Sequence, residues 1–421
     1  MLESSPTDKS NEDLTANLGV FQQILAGSQM LFVAFGALVL MPLITGLDPN
    51  VALFTAGIGT LLFHLVTKGQ VPIFLASSFA FIAPIAYGVQ TWGIPATMSG
   101  LFAAGVVYML MSYVVKLKGV DFIHQLLPPV VVGPVIMVIG LGLAPVAVNM
   151  ALGKTGDASM VLIDQNTAMI ISFSSLITTL LVSTLAKGIF KLVPIFCGVI
   201  VGYVLSLFFG ILDFTVISNA AWLSIPEFVA PEWNWHAVLF MIPVAIAPAV
   251  EHVGDILAIS NVTGKNYLKK PGLHRTLFGD GIATSAASLF GGPPNTTYSE
   301  VTGAVMLTRN FNHKIMMWAA VIAILLAFVG KFGAILQTIP GAVMGGIMIL
   351  LFGTIASVGL NTMIRHRVDL SQPRNMCIVS VTLVFGIGGM ALGIGSFSLQ
   401  GVSLCGIVAI LLNLLLPRHR F

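Results

Sequence analysis

Four carboxylates stand where this chain otherwise avoids charge. Glu251 and Asp255 lie in PAVEHVGDILAIS, Asp280 in FGDGIATSAASLFGG and Glu300 in PPNTTYSEVTGAVMLT, stretches that hold no Lys or Arg. A carboxyl without a cation beside it in a low-dielectric interior tends to take up a proton. Each is therefore a candidate for carrying a proton or for accepting hydrogen bonds from a polar solute. Glu251 and Asp255 are one helical turn apart on one face, so their ionisations interact. Acids at apolar depth are functional by default, which places Glu251 and Glu300 in a site and makes Glu251, Asp255 and Glu300 the proton-coupling candidates. Asp255 has a structural alternative, capping neighbouring backbone. Asp280, between Gly279 and Gly281, reads as a bond from helix to helix. His252 points away from the Glu251 face and reads as a packed, singly bonded histidine rather than a proton relay.

The elements that must position these groups are membrane helices. Only 8% of the 421 residues are charged, 57% are apolar, and the mean hydropathy is +0.98; soluble chains carry roughly 25% charged residues. Apolar stretches recur along the whole length, with room for about 12 to 14 spans and no soluble module. The first 18 residues hold several acids and lack the basic start of a signal peptide, so a short disordered tail is expected over 1–18, followed by one membrane domain over 19–421. Cys197, Cys377 and Cys405 are scattered through apolar segments and read as packing residues, not disulfides or metal ligands. No HExxH, GxSxG or P-loop pattern occurs, so neither enzyme nor cofactor is expected, and no nucleic acid as partner. Gly291-Gly292 and Gly345-Gly346 fit close helix packing.

Helices are expected around Phe35, Gly57, Pro84, Val106, Ile139, Leu176, Val201, Ala249, Ser285, Ala304, Ile324, Leu350, Leu383 and Ile410. With that segmentation every Lys and Arg except Lys154 and Lys331 falls on one side of the membrane, together with both chain ends. Cytoplasmic loops collect Lys and Arg, so both termini are expected in the cytoplasm.

Two segments are too broken for simple helices. PIFLASSFAF from Pro72 and PNTTYSEVTG from Pro294 each begin with Pro and reach Ser five residues later, at Ser77 and Ser299. A second pair, LPPVVVGPVIM from Leu127 and IPGAVMGGIMI from Ile339, shares Pro, Val and Gly at the same seven-helix offset. An odd offset inverts orientation, the pattern of inverted-repeat transporters, in which paired interrupted segments mark the substrate site. Pro favours extended backbone, which apolar surroundings tolerate only when it is buried in protein or lines a cavity. The two pieces are expected to pair, each starting a half-helix whose free N–H groups point inward. Phe79 matches Glu300 in this register to within one residue, and its flat ring suits stacking on a flat ligand.

Several of these residues also carry a resemblance. Glu300-Val301-Thr302-Gly303 followed by Thr308-Arg309 is similar to the signature of the nucleobase–ascorbate transporter family, and so are SSFAF at Ser77, VEHVG at Val250, PGLHR at Pro271 and PNTTY at Pro294. The likeness spans the chain after the tail. It implies an all-α polytopic fold of fourteen segments in two inverted sevens, with short strands in segments three and ten. It also implies a core (about 19–118 and 236–338), a gate (about 119–235 and 339–417) and a homodimer formed through gate helices. By the same resemblance Glu251 and Glu300 receive the ring N–H groups of a base, Phe79 faces its ring, Ala37 lines helix one, and backbone at Tyr298 and Ser299 adds hydrogen bonds. The family couples uptake across the bacterial inner membrane to protons. An acid at Glu300 resembles its uracil members, whereas Gln there is typical of xanthine and urate members. Three positions depart from the pattern: Val301 stands for Asn, Asp255 for His and Phe352 for Tyr. The expected solutes are uracil and protons; another nucleobase such as xanthine, and anion exchange on the same fold, are the alternatives.

Overall fold

The structure, a computed structural model, describes residues 18–119, 125–394 and 397–417. The expected tail, except Leu18, lies outside these residues, as do Arg418 and Arg420.

Backbone in lipid must satisfy its own N–H and C=O groups, so helices dominate. The first run is α1 (Val20–Val33), α2 (Phe35–Thr45), α3 (Pro49–Thr67), strand β1 (Leu75–Ser77) and α4 (Ile82–Lys118). Next come α5 (Pro129–Gly142), α6 (Ala144–Ala151), α7 (Gln165–Leu185), α8 (Pro194–Phe208) and the short α9 (Thr215–Asn219). The second run is α10 (Trp235–Val244), α11 (Ile246–Thr263), α12 (Leu273–Leu289), strand β2 (Asn295–Thr297), α13 (Ser299–Thr308), α14 (His313–Ala327) and α15 (Gly330–Gln337). The chain closes with α16 (Gly341–Arg365), α17 (Pro373–Ile387), strands β3 (Ala391–Ile394) and β4 (Phe397–Gln400), and α18 (Gly401–Leu415). Polar side chains start several helices: Asp48 accepts from the Asn50 amide at 2.7 Å, and Asn234 from the His236 amide at 2.9 Å.

Every expected helix centre falls inside one of these helices. By length and composition alone, however, 5 described helical stretches, with α5 and α6 taken as one, are long and apolar enough to cross a membrane, or 6 if α1 and α2, bent by 41°, also form one span. The shortfall has a physical cause. Segments are interrupted rather than missing: α10 and α11 part at Ala245 after Pro243, and α13 is only 10 residues long. Conversely, α4 joins two expected segments across Gly93, whose φ of 83° only glycine adopts readily. The strands expected in segments three and ten are present, and a second antiparallel pair, β3 with β4, was not foreseen.

Packing divides the helices into two sets. α3 and α4 pack on α12, α4 on α10, and both α1 and α3 on α14. Separately, α16 packs on α5, α6 and α7, while α17 and α18 pack on each other and on α5. Glycines permit the closest crossings. A Cβ on Gly346 would overlap the Ser172 carbonyl oxygen, and one on Gly345 the Ala151 amide. Gly346→Val is therefore expected to separate α16 from α7 at a cost of about 1–3 kcal/mol. A lower midpoint of thermal unfolding in detergent checks this; an unchanged midpoint would show that the crossing has slack.

The outer surface is rich in exposed Leu, Phe and Ile, with Trp222, Trp233 and Trp235 exposed in and beside the α9–α10 connection. Such a surface suits lipid and its headgroup boundary. Lys331, an exception to the charge asymmetry, is held by the end of α9: its Nζ donates to the Ile217 and Ser218 carbonyls. Its charge is thus satisfied by a helix C-terminus.

Candidate functional site

Pro72 and Pro294 remove the chain from helix, and the extended pieces that follow pair antiparallel, Leu75 opposite Thr297, Ala76 opposite Thr296 and Ser77 opposite Asn295. Strands this short leave outward backbone groups to satisfy, and buried side chains do so. The Leu75 amide donates to Thr60 Oγ1 at 2.9 Å, the Thr297 amide donates to Asp280 Oδ2 at 3.1 Å, and the Asn295 carbonyl accepts from Thr284 Oγ1 at 3.1 Å. The strands end at Ser77 and Thr297, so by structure Phe79 and Ala80 take the places of Ser299 and Glu300. This register differs by two from the one set by the prolines. The half-helices begin just beyond, α13 at Ser299 and a 3₁₀ turn at Phe79–Phe81 that leads into α4. The first amides of such a helix lack intrahelical partners.

A cavity of about 140 Å³ opens at this crossing. Ser77, Ser78, Phe79 and Ala80 line it from one half-helix, and Thr296, Thr297, Tyr298 and Glu300 from the other. Glu251 enters from α11, Ile136 and Ile139 from α5, and Thr354, Ile355 and Val358 from α16. Glu300 is exposed to this space and Glu251 half-buried against it. The rings of Phe79 and Tyr298 stand 6.1 Å apart at 58°. The polar groups that the cavity offers are the carboxyls of Glu251 and Glu300, beside the first turn of α13. No Lys, Arg or His is among the lining residues.

Behind the cavity the acids are not all without a base, as the sequence suggested. His252 Nδ1 lies 2.8 Å from Asp280 Oδ2 and 3.2 Å from Thr297 Oγ1, and its Nε2 lies 2.9 Å from Thr276 Oγ1. His252 therefore engages partners through both ring nitrogens instead of one. Its pairing with Asp280 was hidden because it depends on how α11 and α12 are rotated against each other. Asp280 holds strand β2 through the Thr297 amide, in keeping with its structural reading. Asp255 accepts from the Thr297 hydroxyl at 2.9 Å, so its carboxyl sits one residue behind the cavity wall rather than in it.

A family model described as the Permease family matches residues 21–395. A probable uracil permease of Haemophilus influenzae is 60% identical over 414 residues, 98% of this chain and 99% of that one. The uracil permease of Bacillus caldolyticus is 46% identical over 405 residues, covering 94% and 93%, and that of Escherichia coli K12 is 39% identical over 401 residues, covering 94% and 91%. The chain belongs to this permease family. It is a multi-pass membrane transporter, not an enzyme. Among solved structures, the permease resembles the transmembrane domain of the cyanobacterial bicarbonate transporter BicA (TM-score 0.66, 13% identity, 93% of this chain and 97% of that one). It also resembles SLC26A9 (TM-score 0.70, 12% identity, 94% of this chain and 65% of that one). At these identities the likeness shows the fold alone.

Of the residues singled out by sequence in this permease, Glu251, Glu300, Phe79 and Tyr298 meet at the cavity, and Ser299 opens the helix on its rim. Ala37 does not reach the cavity; it is wholly buried in α2. Phe352 is also buried and does not line the cavity, whereas Thr354, Ile355 and Val358 on the same helix do. Those three, with Ile136 and Ile139, were missed. An apolar helix is hydrophobic on every side, so periodicity cannot say which side meets a cavity.

Proposed function

We propose that this permease imports uracil together with protons across the bacterial inner membrane, with both termini in the cytoplasm. One observation carries the reading: two carboxyls, Glu251 and Glu300, face the same cavity beside an aromatic ring and a half-helix N-terminus. Uracil is flat, with two N–H donors and two C=O acceptors, and complements that set. The relatives named above support the same solute. The anion transporters of similar fold do not weigh against it, since acids without a base in the lining disfavour an anionic substrate.

We take the helices as fourteen segments in two inverted sevens, a reading supported by the antiparallel pairing of β1 with β2 and by the matching helix centres. The set containing α1–α4 and α10–α15 is the core, and the set built on α5–α8 and α16–α18 is the gate, through which two copies pair as a homodimer. The cavity takes residues from both sets, so motion of one against the other would expose it to alternate sides.

Uptake of labelled uracil into proteoliposomes, competed by a panel of bases with and without a protonophore, tests the proposal. Uracil should compete best, and the protonophore should collapse accumulation. Stronger competition by xanthine would transfer the assignment to a purine, and accumulation indifferent to the protonophore would remove proton coupling. A second prediction concerns the ring. Phe79→Ala is expected to weaken uracil binding by roughly 0.5–1.5 kcal/mol or more, while Phe79→Tyr keeps most of it. Equal losses in two folded variants would reduce Phe79 to packing.

A further inference from the structure

A second cavity, of about 390 Å³, lies away from the substrate site among the ends of α3, α4 and α12. Its lining combines Lys116, Arg275 and His274 with Ser112, Tyr113 and Phe278. The Ser112 hydroxyl donates to the His274 carbonyl, tying the end of α4 to the start of α12 and fixing the spacing of the two cations. No acid lines the cavity. Nothing in the transport reading uses this site, yet it gathers positive charge at one point of the membrane boundary.

The surroundings indicate what that charge faces. Leu110, Tyr113 and Leu117 on α4 and Phe278 on α12 are 60%, 58%, 66% and 39% exposed. Leu110, Tyr113 and Lys116 or Leu117 recur every three or four residues, so an apolar stripe on α4 runs along the helix to the cation. Apolar side chains above and cations at the rim match the two ends of one molecule, acyl chains and an anionic headgroup. A soluble anion would use the cations and leave the stripe unexplained.

We propose that this cavity binds the phosphate headgroup of an anionic phospholipid, with Lys116 and Arg275 on the phosphate and the acyl chains along Leu110, Tyr113 and Phe278. The inference needs only that the chain is a membrane protein and is independent of its substrate. Native mass spectrometry of the detergent-purified full chain tests it. The probes are phosphatidylglycerol, phosphatidylcholine of the same acyl chains, and inorganic phosphate. The wild type should retain phosphatidylglycerol over phosphatidylcholine. The Lys116→Gln/Arg275→Gln protein should lose roughly five-fold in that affinity per cation, about 25-fold for the pair. Lys187→Gln/Lys191→Gln, which removes two cations elsewhere, should bind like the wild type. Three results would overturn the proposal: equal retention of the two lipids by the wild type, undiminished phosphatidylglycerol binding by the folded Lys116→Gln/Arg275→Gln protein, or displacement of the lipid by millimolar phosphate, which would make the site one for a soluble anion.

Discussion

Glu300→Ala is expected to abolish uracil binding in a protein that still folds. Glu300 is exposed to the cavity, at the second position of α13. Folding should therefore survive. Binding should not, because a ring N–H of the base would be left without an acceptor at a cost of roughly 1–3 kcal/mol or more. The carboxylate also sits comfortably at a helix N-terminus, so its loss leaves that positive end facing the ring donor directly. Glu300→Gln restores an acceptor oxygen and should recover part of the affinity. Calorimetric titration in detergent, with the elution profile as the folding control, measures both; wild-type affinity in Glu300→Ala would sink the assignment.

Asp255→Asn should separate binding from accumulation. Asp255 stands behind the wall, and its Oδ2 accepts the Thr297 hydroxyl at 2.9 Å. An Asn carbonyl oxygen can accept the same bond, so β2 and the cavity stay in place. What disappears is the proton. Asp255 follows Glu251 by one turn of α11 and Glu300 meets Glu251 at the cavity, and like charges in such a cluster share protons rather than ionise together. Asp255→Asn is thus expected to bind uracil and exchange it across proteoliposomes, yet hold no more inside than outside when a pH gradient is imposed. Glu251→Gln should fail in both assays, since Glu251 itself lines the cavity. Gradient-driven accumulation by the Asp255→Asn protein at the wild-type level would return Asp255 to a purely structural part, holding Thr297.

The features legible in the sequence are those with strong local causes. Pro72 and Pro294 announce broken helices, and β1 and β2 are where they point. The apolar stretches give the helix centres, but not how many crossings stand as single helices, because breaks at Ala245 and Gly93 depend on how neighbours satisfy the backbone. ALGI and FSLQ pair as β3 and β4, a ladder that no expectation from the sequence covered. In the site, an acid in an apolar stretch is conspicuous, which is why Glu251 and Glu300 were found. Helix rotation is not encoded so plainly. That is why Thr354 and Ile355 were passed over, and why the contact between His252 and Asp280 came only with the fold.

The pairing of Leu75 with Thr297 also bears on how the protein is made. β1 is inserted long before β2 leaves the ribosome, and until then the inward backbone groups of Ala76 and the Ser78 amide, which donates to the Pro294 carbonyl, have no strand opposite them. In lipid each unsatisfied group costs several kcal/mol, so the early half of the chain carries a polar defect that only the late half can mend. A nascent chain halted before Asn295 would thus remain recognisably unfinished, a mark that membrane quality control could read. The same dependence predicts that two co-expressed fragments, cut in the described loop between α9 and α10, should find each other, since each holds the strand the other lacks.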